Sequence, residues 1–434
     1  MGCGAYYSFL DGGDVTFSVD VNAIKFGPGV LREIGDDAQR LGMTRAALLT
    51  DAGLAGSAHV AIVREALAAS GVDVVVYDAV AVEPTDASFI EAARFAADGR
   101  FDGYVAVGGG SVIDTAKAAN LYATYPADFL DYVNAPIGLG KPVPGPLRPL
   151  IACPTTSGTG SECTPIAIFD YAPMHAKTGI LSPRIRPTLG LVDPTVTRTL
   201  PSTVVACSGF DVLSHAVESY TALPFTKRGK PALPRLRPAS QGANPYSDIA
   251  CVEAMRLTGQ YIVRAAQDAS DEEARERMMF ASTLAGIGFG NAGCHAPHGM
   301  SYSVSGMAKD FRAEGYPPKP LVPHGMSVVL NGPAVFRFTA DACPERHIEA
   351  ARLLGAETVD ADHKDAGALL ADTIIRLMKA TGMPNGLEGV GYTEAHVRDL
   401  AGGALPQHRL LKNAPREIGR GDLEAIYRDA LRYW

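Results

Sequence analysis

Tryptophan occurs once in 434 residues, and no apolar run approaches the roughly 18 residues that a membrane-spanning helix needs. Cysteine is scarce as well. Cys3, Cys153, Cys163, Cys207, Cys251, Cys294 and Cys343 are odd in number and form no C-x-x-C pair. That pattern excludes a disulfide framework and suits buried thiols in a reducing compartment. Basic residues are the minority, 39 against 47 acidic, for a net charge of −8. Neither nucleic acid nor an anionic membrane is therefore expected as a partner. The opening MGCGAYYSFLDGGDV has no basic segment followed by an apolar run, so a cytoplasmic protein is expected.

What is present is a globular composition, 47% hydrophobic and 20% charged, in a chain too long for one ordinary core. Two rhythms divide it. Short apolar runs at Ala46–Thr50, Val72–Tyr77 and Tyr104–Val107 alternate with helical spacing over His59–Ala69 and Ala87–Ala97. Leu150–Cys153 and Leu189–Val192 read as two further strands. This order predicts an α/β dinucleotide-binding domain with a parallel sheet, over residues 1–200. After Pro201 apolar residues recur at three and four, as in Asp248–Ala266, Glu272–Gly286, Pro344–Leu354 and Lys364–Thr381. Residues 201–434 are expected to form an all-α domain. Pro224–Pro245 (PFTKRGKPALPRLRPASQGANP) is proline-rich and basic, so it cannot be a helix. It is either a surface excursion or a loop over the active site.

Tyr104–Val107 runs into Gly108, Gly109, Gly110 and Ser111, then into the helical VIDTAKAANLYA. Glycines let the backbone approach a ligand, and a helix N-terminus offers unpaired N–H groups to phosphate. A second loop, 154-PTTSGTGSE-162, follows another strand-like run and supplies hydroxyls at the same edge. Asp51, just after the first run, is placed to hold ribose hydroxyls. It precedes the glycines, so the order departs from the usual dinucleotide fingerprint.

Within 209-GFDVLSHAVESY-220, Asp211 and His215 share one helical face. Further on, 291-NAGCHAPHGMSYSVSG-306 and 322-VPHGMSVVL-330 carry His295, His298 and His324 in weakly charged surroundings. One carboxylate with several imidazoles suits a divalent ion such as Fe²⁺ or Zn²⁺. Cys294 reads as a structural thiol, and His175, His347 and His408 as surface residues.

These motifs together resemble the iron-containing (group III) alcohol dehydrogenases, in order from about residue 22 onward. The resemblance implies the dehydroquinate synthase-like fold, in which a dinucleotide-binding domain is followed by a helical domain. It implies metal ligands at Asp211, His215, His298 and His324. A second histidine of the family's H-x-x-x-H motif is replaced here by Tyr302, which leaves Tyr302 or the extra His295 to relay a proton. On the cofactor side it implies Gly108–Ser111 and Asp114 at the pyrophosphate, with Thr155, Thr156, Thr164 and Lys177 along the rest of NAD. Asp51 favours NAD over NADP by repelling a 2′-phosphate.

A finer likeness is to the hydroxyacid-oxoacid transhydrogenase branch, through RPASQGANPYSD (237–248), CHAPHGMSYSVSG (294–306) and PLVPHGMSVVLNGPAVF (320–336). It implies small-molecule hydroxy and oxo acids as substrates, 4-hydroxybutyrate oxidised and 2-oxoglutarate reduced, with NAD retained. Arg237 and Lys319 are the expected carboxylate clamps. The alternatives are an NAD-dependent alcohol dehydrogenase with exchangeable cofactor and a metal-dependent lyase on the same fold. A homo-oligomer is expected.

Overall fold

The computed structural model describes residues 6–174 and 176–434, so Cys3 and His175 lie outside the described residues. The chain divides into two compact units. One spans Asp20–Thr199. Its sheet has six strands: β1 (Ala23–Phe26), β2 (Arg45–Leu49), β3 (Asp73–Tyr77), β4 (Gly103–Gly108), β5 (Leu150–Pro154) and β8 (Leu189–Val192). All pairings are parallel, in the order β1-β8-β5-β4-β2-β3. The helices α1 (Ile34–Arg40), α2 (Ala58–Ala69), α3 (Asp86–Gly99) and α4 (Gly110–Thr124) connect them. β4 is buried at every position, as a central strand covered on both faces must be. Its register pairs Gly108 with Pro154, so the glycine turn and the 154–162 loop leave the sheet side by side. The strand-like runs read from the sequence all form strands. β1 and the antiparallel hairpin β6 (Ile166–Tyr171) to β7 (Ala176–Leu181) come in addition.

The other unit gathers Leu200–Trp434 together with the chain up to Val19. The chain passes from one unit to the other between Thr199 and Leu200, and residues 6–19 go with the helices. The cause is a set of local anchors. Asp14 takes a two-pronged ion pair from Arg237, Ser18 N–H donates to Gln241, and the Phe17 and Phe225 rings lie 5.0 Å apart. The principal helices are α5 (Ser202–Thr221), α6 (Pro245–Gln267), α7 (Glu272–Ala292), α8 (Ala296–Gly306), α9 (His324–Val329), α10 (Gly332–Thr339), α11 (Pro344–Leu353), α12 (Ala366–Ala380), α13 (Val397–Ala404) and α14 (Arg420–Asp429). α5 is buried along nearly its whole length and forms the centre of this core with α6 and α7. Among the described residues no helix is long and apolar enough to cross a membrane.

Residues 224–245 are irregular apart from two single 3₁₀ turns. The segment is pinned rather than loose. Phe225 N–H donates to Ala243, and Gln241 and Gly242 N–H groups donate to the Asn291 and Ala292 carbonyls. Those carbonyls lie just ahead of Cys294 and His295, which ties the segment to the chain that enters α8.

Candidate active site

Asp211, His215 and Glu218 stand at i, i+4 and i+7 on α5, so all three face one side. Opposite them α8 presents His298 and α9 opens with His324. Asp211 Oδ1 has His215 Nε2 at 3.6 Å, His298 Nε2 at 3.5 Å and His324 Nε2 at 3.6 Å. None of these is a hydrogen bond. Asp211 Oδ1 and His298 Nε2 are buried without any hydrogen-bond partner. Four donors held tetrahedrally about 2.1 Å from one ion stand roughly 3.4 Å apart, which is close to the spacing of the three nitrogens from Asp211 Oδ1. Asp211, His215 and His298 are buried, whereas His324 is 26% exposed and marks the accessible side.

The electrostatics suit a cation. Burial raises the Asp211 pKa, but the charges of His215, His324 and His298 outweigh it and hold the carboxylate well below its ordinary range. Burial pushes His215 down to about 3, so its imidazole is neutral with a lone pair available at neutral pH. Phe289 stacks on that ring, centroids 3.9 Å apart and 9° from parallel.

Two residues absent from the sequence reading complete this centre. Glu218 is fully buried; its Oε1 lies 2.7 Å from His298 Nδ1, and its Oε2 accepts the backbone N–H groups of His295 (2.8 Å) and His298 (3.4 Å). These are the unpaired donors at the start of α8, where a carboxylate is favoured. Phe289 is the other. Neither carries a motif, and each is found through its contacts.

Tyr302 lies in a small apolar cluster with Cys294, Leu410 and Phe289. His295 is elsewhere: fully buried, it meets Thr221 Oγ1 through Nε2 at 3.0 Å, and burial lowers it to about 4. Burial raises the Cys294 thiol, against a nucleophilic role. His347, expected at the surface, is fully buried against Thr339 and Cys343. The helical spacing of α11 turns it inward among charged neighbours.

In the α/β unit, α4 begins at Gly110 without a side-chain cap. Ser111 neither caps it nor stays unbonded; its Oγ accepts the Glu83 N–H at 3.2 Å. A Cβ on Gly110 would meet Thr159 Cγ2 at 2.6 Å, and one on Gly109 would meet Thr156 Oγ1 at 3.4 Å, so the two loops abut. Thr155 N–H donates to the Gly108 carbonyl. Asp51 Oδ1 accepts the Gly53 and Leu54 N–H groups, which fixes its carboxylate at the end of β2.

Three expected cofactor residues have internal partners instead. Asp114 accepts from Ser161 Oγ (2.5 Å), Lys117 Nζ (3.2 Å) and Ile168 N–H (2.9 Å). Thr164 Oγ1 is 3.3 Å from the same buried Lys117. Lys177 lies between Glu83 (2.6 Å) and Asp170 (2.9 Å), whose charges outweigh the downward pull of burial and raise its pKa. Each of these side chains has part of its bonding capacity taken up within the protein. Arg237, expected as a carboxylate clamp, is already paired: Nε and Nη2 both bond Asp14, at 2.9 and 3.1 Å. Lys319 is exposed between α8 and α9.

Two family models match this chain, iron-containing alcohol dehydrogenase over residues 22–194 and its C-terminal counterpart over 239–431. The chain belongs to the iron-containing alcohol dehydrogenase family. It is an oxidoreductase. It is 52% identical to the mitochondrial hydroxyacid-oxoacid transhydrogenase of Bos taurus and 51% identical to that of Homo sapiens, over 97% of this chain and 91% of each relative. Among solved structures it is similar to 1,3-propanediol oxidoreductase, with TM-score 0.84 and 29% identity over 96% of this chain and 100% of that one. It is also similar to a sulfoacetaldehyde reductase from Bifidobacterium kashiwanohense in complex with NAD+, with TM-score 0.78 and 28% identity over 96% and 99%. The transhydrogenase relatives are named as mitochondrial, which overturns the expectation of a cytoplasmic protein.

Proposed function

We propose that this oxidoreductase transfers hydride through NAD from a hydroxy acid of the 4-hydroxybutyrate type to a 2-oxo acid of the 2-oxoglutarate type. It would use a divalent ion, Fe²⁺ by preference, at Asp211, His215, His298 and His324. The observation that carries this reading is the convergence of three imidazole nitrogens on one carboxylate oxygen at 3.5–3.6 Å, too long for hydrogen bonds. The transhydrogenase relatives support the choice of branch. When bound, such an ion polarises a substrate hydroxyl or carbonyl oxygen as a Lewis acid.

The chain's own groups do the rest. Asp211 supplies the charge that draws the cation, and the imidazoles supply ring nitrogens. His298, whose pKa burial pulls down but Glu218 holds well above its ordinary range, gives up a proton on binding. Glu218 holds His298 by its Nδ1 side, and Phe289 covers His215 against water. The uncapped start of α4 and the glycines before it receive the pyrophosphate, while Asp51 accepts ribose hydroxyls and disfavours a 2′-phosphate. Tyr302, in the cluster that includes Phe289, is the group on the substrate side. His295 has its Nε2 against Thr221 and serves the packing of α8.

The experiment compares protein stripped by a chelator with protein reloaded with Fe²⁺, following 2-hydroxyglutarate formation from 4-hydroxybutyrate and 2-oxoglutarate. Activity is expected to vanish on stripping, return on reloading and stay absent in D211N. Equal activity without metal overturns the reading, and consumption of 4-hydroxybutyrate without reduction of 2-oxoglutarate favours the lyase.

A further inference from the structure

The proposed substrates carry a carboxylate away from the reacting carbon, and the present inference rests on that reading. Arg237 does not offer the needed cation, because Asp14 occupies its fork. The proline-rich basic segment brings up another. From the metal ligands the apolar cluster leads outward: Phe289 stacks on His215, and Cys294 Sγ lies within 4.8 Å of ligating nitrogens of His215 and His298. Leu410 completes that cluster. Three residues on, Asn413 donates through Nδ2 to the Cys294 carbonyl (3.0 Å) and accepts at Oδ1 from Arg228 Nη1 (2.9 Å).

Arg228 Nη1 also donates to the Ser240 carbonyl at 3.2 Å. Both acceptors are neutral. Among the described residues no carboxylate pairs with Arg228, and its Nε and Nη2 have no protein partner and are not sealed from solvent. Its stem is held where Gly242, at φ 89°, passes; a Cβ there would meet Arg228 Cδ at 3.2 Å and the Leu223 carbonyl oxygen at 2.1 Å. Burial lowers the Arg228 pKa with no charge to offset it. A partly buried cation without a counter-charge is costly until an anion completes it, and a guanidinium edge takes a carboxylate by two parallel bonds.

We propose that Arg228 binds the carboxylate of the hydroxy- and oxo-acid substrates, with Phe289, Cys294 and Leu410 along the methylenes between carboxylate and reacting carbon. The segment 224–245 thereby sets the preference for acids over simple alcohols.

The test uses the metal-loaded protein with a neutral aldehyde as hydride acceptor, comparing 4-hydroxybutyrate with butan-1-ol as donor in R228M and R228Q. KM for the acid is expected to rise on the order of 10- to 100-fold, as loss of a hydrogen-bonded charge predicts. For butan-1-ol, kcat/KM is expected to stay within about threefold of wild type, since uniform binding of a carboxylate is irrelevant to it. R237M is expected to shift both substrates alike. An unchanged KM for the acid, or equal losses on acid and alcohol in both Arg228 variants, overturns the assignment. Calorimetric titration of 4-hydroxybutyrate reads the same cation without turnover. A wild type that binds the acid through Arg228 yet reduces no acceptor would refute the hydride reading and leave the assignment standing. A wild type that oxidises the acid while R228Q binds it equally well would do the reverse.

Discussion

A histidine that holds a cation presents one ring nitrogen to the ion, and a partner on the other nitrogen decides the tautomer. His298 has that partner in Glu218, 2.7 Å from Nδ1. The same carboxylate collects two backbone N–H groups at the start of α8, so it sets both the ring's tautomer and its position. Glu218 is a positioning residue, and Glu218→Gln tests it. The amide still accepts from Nδ1–H, but its NH₂ then faces the His295 N–H, donor against donor. Metal affinity, measured by chelator competition, is expected to fall about 10- to 100-fold. The visible spectrum of the Co²⁺-loaded protein is expected to change with it. Wild-type affinity and an unchanged spectrum would reduce Glu218 to a packing residue.

At the scale of elements, three helices bring the ligands together, and the contact between α5 and α9 tolerates no side chain. A Cβ on Gly325 would lie 2.0 Å from the Cys207 carbonyl oxygen and 3.0 Å from Asp211 Cβ. Gly325→Ala therefore forces α9, and His324 with it, away from Asp211. Melting is expected to show a loss of about 1–3 kcal/mol, as for an overpacked core. Metal binding is expected to fall much further than stability does. A variant that binds metal as tightly as wild type would mean that α9 adjusts without moving its ligand.

The same elements show what could be read in advance. Asp211 and His215 could be paired in advance because helical periodicity fixes which residues share a face, whereas His298 and His324 were singled out from His295 only by their likeness to family motifs. Glu218 was not, since a glutamate on a helix looks like any solvated residue until its burial is seen. Edge strand β1 has four residues, one of them Lys25, too little for a periodic signal. Lys117, Asp114 and Thr164 belong to one buried network assembled from α4 and the 161–164 turn, and residues so far apart in sequence give no local sign of meeting.

For the whole molecule, the two units hold complementary parts of one chemistry. In the proposed function, the parallel sheet would offer an uncapped helix start and a fixed Asp51 to a dinucleotide, and the helical unit four donors and Arg228 to a metal and an acid. Residues up to Val19 are tied to the helical unit through Asp14 and Arg237, so the chain's beginning braces the segment that carries Arg228. Neither unit alone supplies both the carrier and the site that activates the substrate.

The most direct test mixes the metal-loaded protein, freed of loose nucleotide, with 4-hydroxybutyrate deuterated at its carbinol carbon and with 2-oxoglutarate, adding no NAD. The account predicts many turnovers of 2-hydroxyglutarate carrying deuterium at C2, because a retained cofactor passes the label from one acid to the other. Unlabelled product, or none until NAD is supplied, would contradict it.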